Sequence, residues 1–369
     1  MQVTEPADKI IEAALLGIAH DRDTGHLYDM LRRYGLQVLP LLSRHLSEDQ
    51  PIELLEKYEA ILKHLLRALI HSGVNGEAAR GIAAFQQKLG FLFKYKSYAL
   101  KASSPLGYSV FIQNRGEGFS FQQHVTRKTE LLHILEVRPG GYVFICPYDD
   151  WAAAYDERSF SAWLSGQANP RYDRFSFRPR PGDVFILGRL HIVHSVIGCV
   201  LEEYATVSSD MADRLHNQNA GKSVPKTFTR SAFLQQLDAV SFPDTHRLVE
   251  IRPGGPHITP LEPESVPGGE KVSLSLDPVR AARYRIEPSG ETGLEYDARR
   301  AASLYITSGT GRLIMADRQE AAGTAPPSIP VSAGDLLLVP PGIYYGCIND
   351  GPVPLEYSEQ SIPFDVALV

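Results

Sequence analysis

Gln122, His124 and Glu130 stand within one short stretch, FQQHVTRKTE, and two further histidines, His191 and His194, follow in RPGDVFILGRLHIVHS. Gln122 and His124 are two positions apart, so in a strand they share a face. Glu130 comes after a turn and opens the next apolar run, LLHILEV. Two imidazoles, a carboxylate and an amide aimed at one interior would hold a divalent ion through nitrogen and oxygen. No thiolate joins the set, so the donors suit Zn, Mn, Fe, Co or Ni and do not choose among them. On the residues alone, His191 and His194 compete for the second imidazole. A lone strand histidine is more often an ordinary core or surface residue. What favours a metal is the grouping of His, Glu and a later His, all inside strand-like runs.

Those runs imply the elements that must position the site. Residues 1–95 repeat apolar positions at three- and four-residue spacing, as in PIELLEKYEAILKHLLRALIHSG and NGEAARGIAAFQQKLGFL, which predicts a helical N-terminal domain. From residue 96 the texture changes to short β-branched and aromatic runs divided by Gly, Pro, Asn and Asp, the pattern of a sandwich or barrel. A first β domain is expected over 96–216, interrupted by a helical insertion that packs Trp151 and Trp163. Residues 217–245 read as a linker with one short helix, TRSAFLQQLDAV. A second β domain follows over 246–369. Each β block carries a Gly-Asp-apolar strand, PGDVFILG and AGDLLLVP, which suggests two stacked barrels from a duplication.

The composition narrows the partners. A net charge of −6 offers no basic excess to neutralise a phosphate backbone, so no nucleic-acid partner is expected. Three widely spaced cysteines form neither a CxxC pair nor a disulfide framework, as in a reducing cytoplasm. The N-terminus lacks the basic n-region of a secretory signal, and no apolar run reaches a membrane-spanning length, so no membrane partner is expected.

The chain resembles the two-barrel cupins, and its first barrel resembles those of the mannose-6-phosphate isomerase and D-lyxose isomerase type. The isomerase branch carries Gln-x-His where other cupins carry His-x-His, and Gln122-Gln123-His124 matches that variant, with Glu130 as the carboxylate. VHSVIG resembles the ending of the second isomerase motif, which favours His194 over His191. The resemblance implies a mainly β fold of two jelly-roll (double-stranded β-helix) barrels behind the α-helical N-terminal domain. It implies one divalent metal on Gln122, His124, Glu130 and His194. The segment SSDMADR resembles the isomerases' Ser-Asp-to-Arg segment, which brings in Asp210 and Arg214, and the glutamate-bearing strand before it brings in Glu203. The resemblance covers residues 107–217 well.

The reaction it implies is sugar or sugar-phosphate isomerisation or epimerisation through an enediol. Glu203 would be the proton-transferring base and Glu202, on the other strand face, its rival. Lys128 and Arg214 would serve the chemistry, and Arg127 and Asp210 would hold the substrate, a sugar or other small polar metabolite. Two alternatives stand beside it: a non-haem Fe(II) oxygenase on the same His–Glu–His set, and a non-catalytic sugar-binding protein. In the second barrel, Glu295 and Asp297 fall where two histidines would stand, Ser303 where the glutamate would, and Tyr345 at the later histidine. That barrel is therefore expected to hold no metal and to serve packing or homodimerisation, or to bind a ligand near Tyr344 and Tyr345.

Overall fold

The computed structural model describes residues 74–96, 99–124, 128–187, 191–206, 212–219, 230–252, 255–322 and 325–364. Most of the expected helical N-terminal domain lies outside them. Its last segment is helix α1 (Gly76–Leu89), started by Asn75, whose side chain accepts from the Ala78 amide at 2.8 Å. Glu77 in the first turn and Lys88 in the last suit the helix dipole. Ala79 and Ala83 pack into the second barrel's core, and Arg80 pairs with Glu320 at 3.0 Å, so α1 braces that barrel. Gly90, at φ 66°, ends the helix, and the alternating run LFKYK that follows is strand β1 (Leu92–Lys96). The sheet thus begins inside the segment expected to be helical.

The first sheet continues with β2 (Ala99–Ser103), β3 (Tyr108–Gln113), β4 (Phe121–His124), β5 (Glu130–Pro147), β6 (Ser176–Phe177), β7 (Asp183–Ile186), β8 (Ile192–Ala205) and β9 (Ala212–His216). Between β5 and β6 stand three short helices, α2 (Tyr148–Ala154), α3 (Glu157–Leu164) and α4 (Pro170–Asp173). Their aromatic residues, with Trp151 4% exposed and Phe160 fully buried, close over Phe121 and Phe144. Trp163 is half-buried at the edge of the same cluster. The linker helix is α5 (Arg230–Asp238). Beyond it, β10 (His246–Arg252) and β11 (Gly255–Leu261) do not begin the second barrel. β10 pairs in parallel with β7, Arg247 opposite Asp183, and the sheet runs β1-β2-β3-β8-β5-β7-β10-β11. The Arg247 Nε donates to Asp183 at 2.8 Å across that seam. β4 lies beside β8 and β9.

The second barrel's own strands are β12 (Glu264–Val266), β13 (Gly269–Ser273), β14 (Arg280–Ile286), β15 (Glu295–Tyr296), β16 (Arg300–Ser308), β17 (Thr310–Ala316), β18 (Ser328–Ser332), β19 (Leu336–Val339), β20 (Tyr344–Ile348) and β21 (Leu355–Pro363). They form two layers, β12-β13-β14-β21-β16-β19 and β15-β20-β17-β18, around an apolar core that includes Leu304, Leu313 and Leu337. The chain is therefore mainly β, with two jelly-roll barrels of the cupin kind side by side. Among the described residues, no helix is long and apolar enough to cross a membrane.

The long strands β5 and β8 are buried on both faces because the second barrel covers their outer side. Glu130, Leu132 and Ile134 point into the first barrel, while Leu131, His133 and Leu135 point to the inter-barrel seam. In that seam Glu202 is fully buried and accepts from Tyr108 at 2.7 Å, Tyr204 at 2.9 Å and Ser358 of the second barrel at 2.5 Å. The His133 Nδ1 lies 2.7 Å from the carboxylate oxygen that Tyr204 also bonds, and the Arg283 guanidinium of the second barrel lies 3.6 Å from the other. Burial opposes the charge, yet His133, Arg283 and Ser358 together hold the Glu202 carboxyl down at about 2. A carboxyl depressed in the folded state stabilises the fold above its unfolded value of about 4.3, and that contribution disappears as pH falls toward about 2. Burial also holds His246 neutral, down to about 3, so unfolding takes up protons there in the same direction. Acid titration followed by circular dichroism should show stability falling below about pH 6.5 as His246 begins to oppose the fold, and further below about pH 4.5, by roughly 3 kcal/mol from Glu202; a flat profile to pH 3 would contradict this hub.

Candidate metal centre

His124 closes β4, Glu130 opens β5, and His194 is the third residue of β8. Gln122 stands opposite His194 in the ladder and two residues from His124, so all four share the barrel's inner face. The His124 Nε2 lies 2.8 Å from a Glu130 carboxylate oxygen, and the His124 and His194 rings stack with centroids 4.9 Å apart. Ligand atoms of His124, Glu130 and His194 all lie within 4.8 Å of one another. Their exposures are 3%, 3% and 0%, so the group is shut off from bulk water.

Electrostatics prepare this set to bind a cation. Burial alone would raise the Glu130 carboxyl, but the Lys128 ammonium and the bond to His124 hold it well below the usual carboxylate range. Burial pushes His194 down to about 4, which leaves its imidazole neutral with a lone pair to give. The decisive atom is the His194 Nε2. It is buried and has no hydrogen-bond partner among the described residues, a state that ordinarily costs about 1–3 kcal/mol. Donors held at roughly 2.0–2.2 Å from one ion would lie about 3 Å apart when adjacent. The residues present fit a divalent ion held by His124, Glu130 and His194. Gln122 is poised beside them, its amide oxygen accepting from Ser120 at 3.3 Å.

A bend in β8 brings a second carboxylate to the same chamber. His194 and Glu203 are nine residues apart, which in an uninterrupted strand would put them on opposite faces. Gly198, at φ 65°, sits where the β5–β8 register slips between Val137 and Tyr142, and there the alternation inverts. Before it His194 and Val196 face inward; after it Cys199, Leu201 and Glu203 do. A side chain at Gly198 would be strained by that φ and would crowd the Gly141 Cα at 3.2 Å.

Lys128 links the two carboxylates, its ammonium 3.1 Å from Glu130 and 3.1 Å from Glu203. Lys101, on β2, approaches Glu203 from the other side at 3.9 Å. Lys101 escaped the sequence reading; its signal was a lysine in ALKAS at the inward-facing place opposite Phe111. Arg214 is exposed on β9, its backbone opposite Gln122 at the rim, and no described contact ties it to Glu130 or Glu203. Arg127 and Asp210 lie outside the described residues.

Two expectations need correcting. Glu202 cannot rival Glu203 as a base, because it faces the second barrel and is enclosed by Tyr108, Tyr204, His133 and Ser358. His191 is not part of the cluster; it is an exposed turn residue at φ 65° whose carbonyl accepts from the Tyr148 amide at 2.7 Å.

Residues 244–358 match the cupin family, a span that lies mainly on the second barrel. A search of curated proteins finds no significant relative. Among solved structures, the chain is similar to oxalate decarboxylase from Lactobacillus farciminis in its formate complex, at 13% identity and TM-score 0.44, over 74% of this chain and 84% of that one. It is similar to oxalate decarboxylase from Bacillus subtilis at 14% identity and TM-score 0.44, over 74% and 76% of the two chains. Vicilin from Corylus avellana (hazelnut) gives 13% identity and TM-score 0.44, over 75% and 84%. Values this low carry no activity across.

Proposed function

We propose that this cupin-fold chain is a metal-dependent enzyme acting on a small oxygenated substrate inside its first barrel. The reading we favour is a sugar or sugar-phosphate isomerase or epimerase that moves a proton between adjacent carbons. The observation that carries it is the His194 Nε2, buried with no partner among the described residues, in a group whose ligand atoms on His124, Glu130 and His194 all lie within 4.8 Å, with Glu203 reached from Glu130 through Lys128. His124, Glu130 and His194 would hold the ion, with Gln122 as a fourth, oxygen ligand. Bound there, a divalent ion supplies Lewis-acid polarisation of a carbonyl or hydroxyl oxygen.

The protein's own groups do the rest. The Glu203 carboxylate takes a proton from the carbon beside the carbonyl and returns it to the neighbouring carbon. Lys128 and Lys101 fix the orientation of that carboxylate from two sides, and the Lys128 ammonium stands beside the oxygens on which charge develops. Arg214 at the rim is suited to a substrate phosphate or carboxylate, with Arg127 and Asp210 as further candidates for holding the substrate. The barrel interior, Phe111, Leu132, Ile134 and Leu201, keeps water from the reacting carbon.

Incubation of the metal-loaded protein with free pentoses, hexoses and hexose phosphates in D2O should place deuterium on C2 of the substrate. Glu203→Gln should lower that exchange by about 100-fold or more while leaving metal content and unfolding midpoint unchanged. Absence of exchange with every substrate of the panel would sink the isomerase reading.

One observation favours the second reading, an Fe(II) oxygenase. A cavity of about 500 Å³ is lined by Ile145, Ile186, Ile192, Ile251 and Leu276, with Thr129, Glu250, Arg252 and Asp277, and its Ile145 stands opposite His194 in the ladder. The aliphatic side of that wall would suit an apolar substrate. Oxygen uptake by the Fe(II) protein, without C2 exchange, would select this reading.

A further inference from the structure

The ladders of the two barrels can be matched residue for residue. In the first, Glu203 lies between Ser109 and Leu132, and Lys101 lies beside Phe111 two residues farther along. In the second, Glu359 lies between Ala282 and Leu304, and Lys271 lies beside Tyr284 two residues farther along. The same count places Ala302 where the first barrel has Glu130, and Arg300 where it has Lys128. Ser303, the expected counterpart of Glu130, instead faces the first barrel and donates to Ser104 at 2.9 Å. The pairing of Gln122 with His194 is repeated by that of Glu295 with Tyr345. The second barrel has therefore replaced the imidazoles and the ligating carboxylate but kept the carboxylate flanked by two cationic residues.

These retained residues line one chamber. Lys271, Arg300, Glu359, Glu295 and Tyr345 all face a cavity of about 340 Å³, within the range of small-ligand sites. Tyr345 donates to Glu359 at 2.9 Å, and Tyr284 donates to Glu295 at 2.8 Å. No described ion pair joins either carboxylate to a lysine or arginine, although Lys271 and Arg300 stand in the same wall. Asp297 and Arg280 at the mouth pair with each other at 3.3 Å. The wall thus carries three acidic and three basic side chains, together with three phenols. A strongly anionic ligand would meet Glu295, Glu359 and Asp297, and a cationic one would meet Lys271, Arg280 and Arg300. A neutral molecule bearing several hydroxyl groups satisfies both kinds of partner at once, donating to the carboxylates and phenol oxygens and accepting from the lysine and the arginines.

We propose that the second barrel is a metal-independent binding site for a small, neutral polyhydroxylated molecule of about monosaccharide size. It works without the first barrel's metal ligands, and it stands whether or not the first barrel proves to be an isomerase.

The test is calorimetric titration of the full chain, stripped of metal by chelator, with D-xylose, D-mannose and D-glucitol, and with oxalate and glucosamine as anionic and cationic controls. At least one neutral polyol should bind with a dissociation constant below about 1 mM, and the two controls should bind at least about tenfold more weakly. Glu359→Gln, which removes an acceptor, and Ala282→Phe, which fills the chamber without removing a polar group, should each weaken binding by about tenfold or more. His124→Ala should leave it unchanged. Binding of no neutral polyol by the folded protein would overturn the proposal. So would binding that survives Ala282→Phe, or binding that is lost in His124→Ala, since either places the ligand elsewhere.

Discussion

His194→Ala is expected to strip the protein of its divalent ion at concentrations where the wild type is saturated. His194 supplies one of three clustered donors, and the loss of mere supporting hydrogen bonds around a metal already costs roughly 10–100-fold in affinity. Removing a ligand itself should cost about 100-fold or more, seen in equilibrium dialysis against Mn(II), Co(II) or Zn(II). His124→Ala should behave alike, because its Nε2 is 2.8 Å from Glu130 in the same cluster. The metal-free variant separates this account from a purely packing role. Removing the imidazole opens a small cavity, which destabilises, but also removes a buried nitrogen without a partner, which stabilises. Those effects offset each other, so the apo unfolding midpoint should shift little, by about 1–2 kcal/mol at most. A histidine that served only the core would leave metal uptake intact and lower the apo stability instead.

Glu202→Ala should do the reverse, lowering stability by about 3–5 kcal/mol while leaving metal binding untouched. Glu202 ties β8 to β3 and β5 of its own barrel through Tyr108 and His133, and to the second barrel through Ser358 and Arg283. Removing the carboxylate leaves a guanidinium 7% exposed without its anion and two buried phenols without an acceptor. Urea unfolding, read as a fall in the transition midpoint, measures the loss. Glu202→Gln, which keeps the volume and one accepting oxygen, should lose less than the alanine variant. The contrast with Glu203→Gln is diagnostic: of these adjacent glutamates, one is expected to govern stability and the other, on the proposed reading, the reaction, because β8 turns them to opposite faces.

Much of this was legible in the sequence. The two-residue spacing of Gln122 and His124 and the start of an apolar run at Glu130 were enough to put three donors on one face. The Gly-Asp-apolar strands announced the duplication. What was not legible depended on where the alternation breaks. A period of two has no way to signal that Gly198 inverts the faces of β8, so His194 and Glu203 could not be assigned to one chamber by counting. Nor could Glu202 be told from Glu203 by side-chain type, since the choice rests on the second barrel covering one face. Local pattern also stops short of pairing: HRLVEIR reads as a strand, but nothing in it says that it joins β7 of the first barrel rather than opening the second. Ser303 was misplaced by one residue for the same reason, and a one-residue slip turns a side chain to the other face.

The central claim is that a single divalent ion sits on His124, Glu130 and His194. Its most direct test is Co(II) titration of the metal-free protein, followed by visible absorption and by elemental analysis of the dialysed product, with His194→Ala alongside. The account predicts about one equivalent of cobalt per chain, an absorption spectrum of nitrogen and oxygen ligands without thiolate charge transfer, and neither signal in the variant. No cobalt in the wild type, or an equal amount retained by His194→Ala, would contradict it.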